Sequence, residues 1–199
     1  MTNALTLDIK GMDKVLAEIK AYPQDVEKII NNEFKAFGFE TWNEAKRLSP
    51  VDEGHLRAHL STEATNLKVN ISANVDYAAY LEFGTKSFAA KYVATLPTDW
   101  QAFAAQFKGN GGGSGSFMSF FYTIFEWVQR KGFAATYSIK THKRSNSKAT
   151  IKREREAAYL IALKIVKKGI RPHPYLFPAF EKNKLELIKN LKAQLNAKS

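Results

Sequence analysis

The 199-residue sequence contains no cysteine. This absence excludes disulfide frameworks, thiolate metal sites and cysteine nucleophiles. The sequence also lacks an apolar run of the ~18 residues that a membrane span requires. The nearest approach, residues 117–125, is short and carries Ser119, Tyr122 and Thr123. The N-terminus has neither the basic start nor the apolar run of a signal peptide. We therefore expect a soluble chain that is not addressed for secretion.

The familiar catalytic templates are missing as well. No Gly-Lys dipeptide occurs, which excludes a Walker A loop, and no Gly-x-Ser-x-Gly elbow exists. The glycines at 109–115 do not have dinucleotide-binding spacing, and their composition is typical of a flexible linker. We therefore predict that the chain is not an enzyme, with no catalytic or cofactor-binding residue and no cofactor.

Histidines and paired carboxylates offer little for chemistry. His55 and His59 could share one helix face and hold a metal, but two bare histidines rarely suffice, so we predict no metal site. Asp52 with Glu53, and Glu154 with Glu156, are close in sequence. Neither pair has the apolar surroundings that would shift a pKa, so we expect no functional carboxylate pair.

The chain does have a substantial hydrophobic fraction, 45%, and a strong positive charge, +11. A real core can therefore form. From Lys140 to Arg171 there are eleven basic and two acidic residues, a contribution of +9. Such a block attracts phosphate or an acidic protein surface. A solvated, charged arm is the equally open alternative.

Apolar periodicity predicts the elements of the first half of the chain. Alternation predicts a strand with its apolar face at Leu5, Leu7 and Ile9, and helical spacing follows at Met12, Val15, Leu16 and Ile19. A long helix is predicted from Pro23 to Leu48, ending at Ser49 because Pro50 disfavours helical geometry in the residue before it. Next come a turn at 52–54, then a strand over 56–60 for which a short helix is the alternative. A second strand over 68–75 and a helix from Tyr77 capped by Gly84 complete this half.

The second half is less regular. Residues 117–128 place aromatic and aliphatic side chains on one helical face, predicting an amphipathic helix that ends near Gly132. That face could belong to a core, a subunit interface or, least consistently, a membrane surface. Residues 137–155 are predicted to be a long basic loop or arm, with a hairpin as the alternative. A helix is predicted over 157–168, with Gly169 as its stop. After the extended segment 171–174, Pro178 is predicted to start a last helix whose buried side carries Leu187, Ile188, Leu191 and Leu195.

Three sequence blocks stand at the ends of these elements. They are Ser49-Pro50-Val51-Asp52-Glu53-Gly54-His55-Leu56-Arg57, Asp76-Tyr77-Ala78-Ala79-Tyr80-Leu81-Glu82-Phe83-Gly84-Thr85 and Arg171-Pro172-His173-Pro174-Tyr175-Leu176-Phe177-Pro178-Ala179. In type and order they resemble the blocks of the neck or tail-completion family of long-tailed bacteriophages, which includes head-tail joining and minor tail components. The resemblance covers roughly residues 1–87 and 157–197, and the stretch between the second and third blocks is longer than is usual in the family.

The resemblance implies an α+β fold, in which a small antiparallel sheet packs against a long N-terminal helix and a C-terminal helix. Residues 1–87 and 157–199 would form this domain. Residues 88–156 would be a helical and loop insertion containing the Gly/Ser linker, the aromatic helix and the basic arm.

The function implied is that of a structural virion protein at the phage neck. Subunits would form a ring, expected to be a hexamer, that joins the tail to the head-closure complex and lets DNA pass without sequence specificity. Its neighbours would be the tail terminator or tail tube and the head-closure or adaptor proteins, and no membrane would be involved. Assembly would take place in the host cytoplasm. The alternative is a nucleic-acid-binding protein that uses the basic segment 140–155.

The two possible functions, a ring-forming virion protein and a nucleic-acid-binding protein, suggest candidate residues. Candidates for contact with a neighbouring protein or with DNA in the lumen are Lys140, Lys143, Arg144, Lys148, Lys152 and Arg153. Interface candidates are Tyr77, Tyr80, Glu82, Phe83, Phe117, Phe121 and Phe125. Structural candidates are Pro50, Gly54, Gly84, Pro172, Pro174 and Pro178.

Overall fold

The long helix α1, Gln24–Leu48, organises the fold in the computed structural model, which describes residues 5–8, 24–65, 68–107 and 116–196. Its buried side chains are Val26, Ile30, Phe34, Phe37, Thr41 and Ala45. Their spacing of three and four residues keeps them on one face of the helix. The predicted long helix is confirmed, including its end before Ser49 and Pro50.

A three-stranded antiparallel sheet lies against α1. Strand β1 is Leu5–Asp8, β2 is Leu60–Thr65 and β3 is Lys68–Ala73. The order is β1-β3-β2, so the central strand pairs on both sides, and Ala73 is opposite both Leu5 and Leu60. The period-2 prediction for β3 is confirmed, since Val69, Ile71 and Ala73 are buried.

Short helices follow the first block and the sheet. Helix α2 is His55–Ala58 and α3 is Ala78–Phe83, and Gly84 caps α3 as predicted. The favoured strand over 56–60 is wrong for residues 55–58, where the short-helix alternative holds. The chain leaves Gly54 with φ of 82° and closes one helical turn before β2 begins at Leu60.

The remaining helices are α4, Lys86–Val93; α5, Thr98–Ala105; α6, Phe117–Lys131; α7, Lys148–Lys168; and α8, Leu176–Asn196. The α6 prediction is confirmed, and its end is marked by Gly132 with φ of 70°. Helix α7 ends before Gly169 as expected, but it begins nine residues before the predicted start at Ala157. Helix α8 begins two residues before Pro178, and Ile188 is 42% exposed instead of buried.

Two groups of buried side chains hold the described helices together. The larger joins α1 and the sheet to α3, α5 and α8, with Trp100 of α5 packed 5.0 Å from Phe177 of α8. The smaller joins α6 to α7 through Phe121, Val128 and Ala158. The mixed helix-and-strand class with long N-terminal and C-terminal helices is confirmed. The division into a domain and an insertion stays a prediction, and α5 packs into the larger group.

Several predictions concern residues outside those described. They are the helix over Met12–Ile19, the position of Ile9, the linker at 109–115 and the burial of Leu195. Among the helices of the described ranges, none is long and apolar enough to cross a membrane.

Candidate functional site

A buried carboxylate joins the second sequence block to the third. Glu82, at the end of α3, has no exposed surface. Its carboxylate accepts hydrogen bonds from the backbone N–H groups of Tyr175 and Leu176 at 2.8 Å and of Phe177 at 2.9 Å. These groups belong to the start of α8, whose first-turn donors have no partner within the helix. Pro178 has no N–H, so Glu82 satisfies the donors that this turn leaves free.

The charge of Glu82 is set by opposing effects. Burial raises the pKa of Glu82 above its ordinary value, and the three backbone donors offset only part of this rise. The positive end of the α8 dipole also favours a negative charge at this position. Burial, with the negative charge of Glu82 nearby, raises the pKa of Tyr92 to about 12 and also raises that of Tyr175. Because Glu82 has no contact with solvent, we interpret its carboxylate as a structural connection, or joint, between α3 and α8.

Further backbone bonds close the same joint. The N–H of Thr85 donates to the Ile170 carbonyl at 3.0 Å, and the Ile170 N–H donates to the Thr85 hydroxyl at 2.8 Å. The His173 N–H donates to the Leu81 carbonyl at 2.7 Å. Gly84 has φ of 75°, and a Cβ there would lie 2.9 Å from the Ile170 oxygen. The second and third blocks are therefore one structural unit, although about ninety residues separate them.

The first block contacts both the second block and α6. The Tyr77 hydroxyl hydrogen-bonds to the backbone of Leu56, and burial raises the pKa of Tyr77. Asp52 pairs with Lys131 at 2.6 Å and with Arg130 at 2.7 Å, and these bonds hold the pKa of Asp52 below its ordinary value. These pairs are partly exposed, so each contributes little to stability. They connect the end of α6 to the turn after α1.

A second buried carboxylate holds the basic segment. Glu154 of α7 has no exposed surface and pairs with the Arg144 guanidinium, whose Nε lies 2.7 Å away. Gln129 of α6 donates to it at 3.3 Å. The Arg144 bonds lower the pKa of Glu154. The expectation that neither carboxylate pair has apolar surroundings that would shift a pKa is not contradicted at Asp52, which is partly exposed, and is wrong for Glu154, which is buried. Bonds from basic side chains lower the pKa of both.

Arg144 lies in a hairpin that precedes α7. Tyr137 and Arg144 form an antiparallel bridge, and the Ser145 N–H donates to the Thr136 carbonyl at 2.7 Å. The Ser147 side chain then caps α7 by accepting from the Thr150 N–H. The basic segment predicted as an arm is thus a short hairpin followed by the first turns of a helix.

The basic candidates differ in exposure. Arg144 is half-buried against Glu154. The others are exposed: Lys140 and Lys143 on the hairpin, and Lys148, Lys152 and Arg153 on α7. Within the described part of the chain none of these five forms an ion pair, although Arg153 donates to the Ala149 carbonyl at 3.4 Å.

The interface candidates also separate into two sets. Tyr77, Tyr80 and Phe117 are about two-fifths exposed, at 42%, 41% and 36%. Glu82, Phe83 and Phe121 are buried within the chain, and Phe125 is half-buried beside Phe121. The exposed set is therefore the one that a neighbouring subunit could reach in this conformation.

The structural candidates stand at ends and joints of elements. Pro50 follows α1, Gly54 precedes α2, and Gly84 packs against Pro172. Pro174 lies in the segment before α8 and Pro178 in its first turn. His55 and His59 have ring centroids 6.2 Å apart, and no group of three or more metal-ligating side chains occurs among the residues described.

The region that contains the first two blocks is similar to a known protein family. Residues 13–84 match the family described as "Bacteriophage HK97-gp10, putative tail-component". The resemblance to phage tail proteins is confirmed. The match contains α1, the β2–β3 hairpin, the first block and the second block up to Gly84, where it ends. No curated protein and no solved structure matches the chain.

Sequence reasoning missed the roles of Glu82 and Glu154. Glu82 was an interface candidate, and only its position among apolar neighbours, Leu81 and Phe83, indicated burial. For Glu154 a usable signal existed, because Thr150, Glu154 and Ala158 recur every four residues. All three are buried on one face of α7.

Proposed function

We propose that this chain is a structural subunit of a tailed-phage neck that assembles into a ring, completes the tail and has no enzymatic activity. The observation that carries the proposal is the match of residues 13–84 to a phage tail-component family. The match supports a structural role in the tail, while the neck position and the ring extend beyond it.

The geometry of the three blocks supports this role. Glu82 and the bonds around Gly84 tie α8 to the matched region, so the C-terminal helix belongs to the same unit. What remains exposed includes tyrosines at the end of that unit, Tyr77 and Tyr80. Aromatic side chains of this kind dominate many subunit interfaces. A head-to-tail contact that uses them closes into a ring when its rotation permits.

In the proposed assembly, the ring of six subunits contacts the tail terminator or tail tube on one side and head-closure or adaptor proteins on the other. DNA passes through the lumen without sequence-specific contacts. The exposed lysines of the hairpin and of α7 would face either that DNA or an acidic neighbour. Assembly in the host cytoplasm precedes joining to the particle.

The oligomeric state of the purified chain tests the ring. Sedimentation and negative-stain microscopy over a rising concentration series should detect closed rings. Tyr80→Ser should weaken ring formation, because it removes an exposed aromatic side chain from the proposed contact. Leu185→Ser removes an exposed apolar side chain elsewhere, on α8, and should leave rings intact. A chain that stays monomeric throughout, both free and on particles, would contradict the proposal.

A second candidate function, nucleic-acid binding by residues 140–155, is favoured by the five exposed cations without ion pairs in the described segment. Filter binding with short duplex DNA separates the two candidates. A dedicated binder holds DNA as a monomer or dimer, with affinity that falls steeply as salt rises. A ring subunit has little affinity for short DNA at physiological salt.

A further inference from the structure

One face of α7 carries a stripe that is both basic and apolar. Lys148, Ile151, Lys152, Arg155 and Tyr159 follow one another at spacings of three, one, three and four residues, and all are exposed. Residues with this spacing share one face of a helix. The buried face of α7, with Thr150, Glu154 and Ala158, lies beside this stripe, and the stripe itself is exposed.

A groove of about 430 Å³ lies where this stripe meets the start of α6. Its lining consists of Phe117, Met118, Phe121, Lys152, Arg155, Glu156 and Tyr159. Phe121 is buried and forms the floor, whereas Met118 is 51% exposed and Tyr159 47% exposed. Such an exposed apolar concavity marks an interaction site more often than a random surface does.

The charges around the groove indicate what it can accept. Lys152 and Arg155 line it, and Lys148 extends the basic stripe one turn further. Within the described ranges none of these three has an ion-pair partner. Glu156 is the acidic side chain in the lining. An occupant that complements this surface has apolar side chains on one face and carboxylates beside them.

We propose that the α6–α7 groove binds an acidic amphipathic helix of a partner protein. The occupant places apolar side chains at i, i+3, i+4 and i+7 over Phe117, Met118 and Tyr159, which is the usual pattern for a helix seated in a groove. Its carboxylates pair with Lys152 and Arg155. Pairing of the groove with the same groove of a second copy is disfavoured, since Lys152 and Arg155 of the two copies would repel each other.

Single-stranded DNA fits the groove less well than a peptide does. Phe117 and Tyr159 contact each other edge to face, with an interplanar angle of 89°, so they do not offer a pair of parallel faces to successive bases. An apolar floor is matched by Leu or Phe side chains, not by a charged backbone.

Binding of a synthetic peptide to the purified full-length chain tests the proposal. The probe is a fluorescein-labelled 16-residue helix former of Glu, Ala and Leu, with Leu at i, i+3, i+4 and i+7. A scrambled peptide of the same composition and charge, with Leu on all faces, is the peptide control. Anisotropy titrations should show saturable binding of the first peptide and at least about tenfold weaker binding of the second.

Two variants test the charged and the apolar parts of the groove separately, and a third is the control for the charge change. Lys152→Glu with Arg155→Glu should weaken peptide binding by at least about tenfold. Lys164→Glu with Lys167→Glu makes the same charge change at exposed positions further along α7 and should leave most of the binding intact. Met118→Gln removes exposed apolar surface without changing charge and should also weaken binding. Circular dichroism checks that each variant is folded.

Three outcomes would overturn the proposal. The first is equal binding of the amphipathic and scrambled peptides, which would mean attraction by charge alone. The second is equal loss of binding in both charge-reversal pairs. The third is tight binding of a labelled 20-nucleotide single strand that is lost in the Lys152/Arg155 variant and kept in Met118→Gln, which would assign the surface to nucleic acid.

Discussion

At the residue scale, we expect the buried Glu82 to contribute more to the free energy of unfolding than any exposed charged side chain does. Replacing it by alanine leaves three N–H groups of the α8 start without partners in a buried place. We expect Glu82→Ala to lower the free energy of unfolding by about 3 kcal/mol in urea denaturation, because buried unsatisfied donors are costly. Glu82→Gln keeps one acceptor oxygen and should lose less.

The matched control is Glu186→Ala, which removes an exposed glutamate from the same helix. That change should stay within about 0.5 kcal/mol of the unmodified chain. If the two alanine variants unfold at the same urea concentration, Glu82 does not hold α8 in place.

Ionisation of Glu154 makes the free energy of unfolding depend on pH in the acid range. Its pKa is lowered in the folded chain from an ordinary value of 4.5, chiefly by the bonds from Arg144. The unfolded chain therefore takes up the proton first as pH falls, and the stabilising contribution is present above about pH 4.5 and is lost below it. We expect the free energy of unfolding to fall between pH 5 and pH 3, and to fall less steeply in Glu154→Gln.

Glu156→Gln, two residues along and exposed, should keep the steep dependence. If the free energy of unfolding of the unmodified chain and of Glu154→Gln fell in parallel with pH, the Arg144–Glu154 pair would not contribute to the acid dependence of stability.

At the scale of elements, the start of α7 is the clearest departure from the sequence pattern. Residues 148–155 were predicted as part of a loop or arm because no apolar periodicity is visible there: the buried positions, Thr150 and Glu154, are both polar. Both are satisfied by side chains of the preceding hairpin, namely Thr136 and Arg144. Apolar periodicity predicts a helix only where the buried face is apolar.

Hydrogen exchange tests this helix start directly. The amides of residues 152–156 should be protected, whereas in a loop they would exchange freely. Ser147→Ala removes the cap on the Thr150 N–H and should cost about 1 kcal/mol, with faster exchange in the first turns of α7. Ser116→Ala removes the equivalent cap of α6 and should accelerate exchange there instead. Unprotected amides at 152–156 in the unmodified chain would contradict the hairpin-and-helix assignment.

Gly84 lies in the joint between α3 and α8, and Gly54, outside that joint, is its matched control. Gly54 and Gly84 both have positive φ, 82° and 75°. A Cβ at Gly54 would meet nothing within 4 Å, while at Gly84 it would lie 2.9 Å from atoms of Ile170 and Pro172. Gly54→Ala should cost about 1 kcal/mol from backbone strain alone, and Gly84→Ala should lower the melting temperature further. Equal melting temperatures would mean that the joint yields easily.

At the scale of the whole molecule, local patterns predicted the elements, and distant contacts decided how they join. The α1 stripe and the alternation of β3 are local, so both were predictable from the sequence. The contact of Glu82 with Tyr175 spans 93 residues and has no local signal. Trp100 was part of a scattered aromatic region in the sequence, and its place between Phe177 and Phe180 depends on where α8 returns.

The order of the three blocks was the most informative feature of the sequence for predicting a family resemblance. It predicted a resemblance that the match over residues 13–84 confirms for the first two blocks. The structure joins the third block to the second through Glu82. The candidate surfaces, however, needed coordinates, because the α6–α7 groove combines side chains from segments that the sequence pattern had separated into a helix and an arm.

Cryo-electron microscopy of the assembled phage particle tests the central proposal most directly. We expect a closed ring of this chain between the tail tube and the head, with DNA density along its axis and the Tyr77–Tyr80 region at contacts between neighbouring copies. The proposal would be contradicted if the neck showed no density for this chain. That holds whether the protein lies elsewhere in the particle or is absent from it.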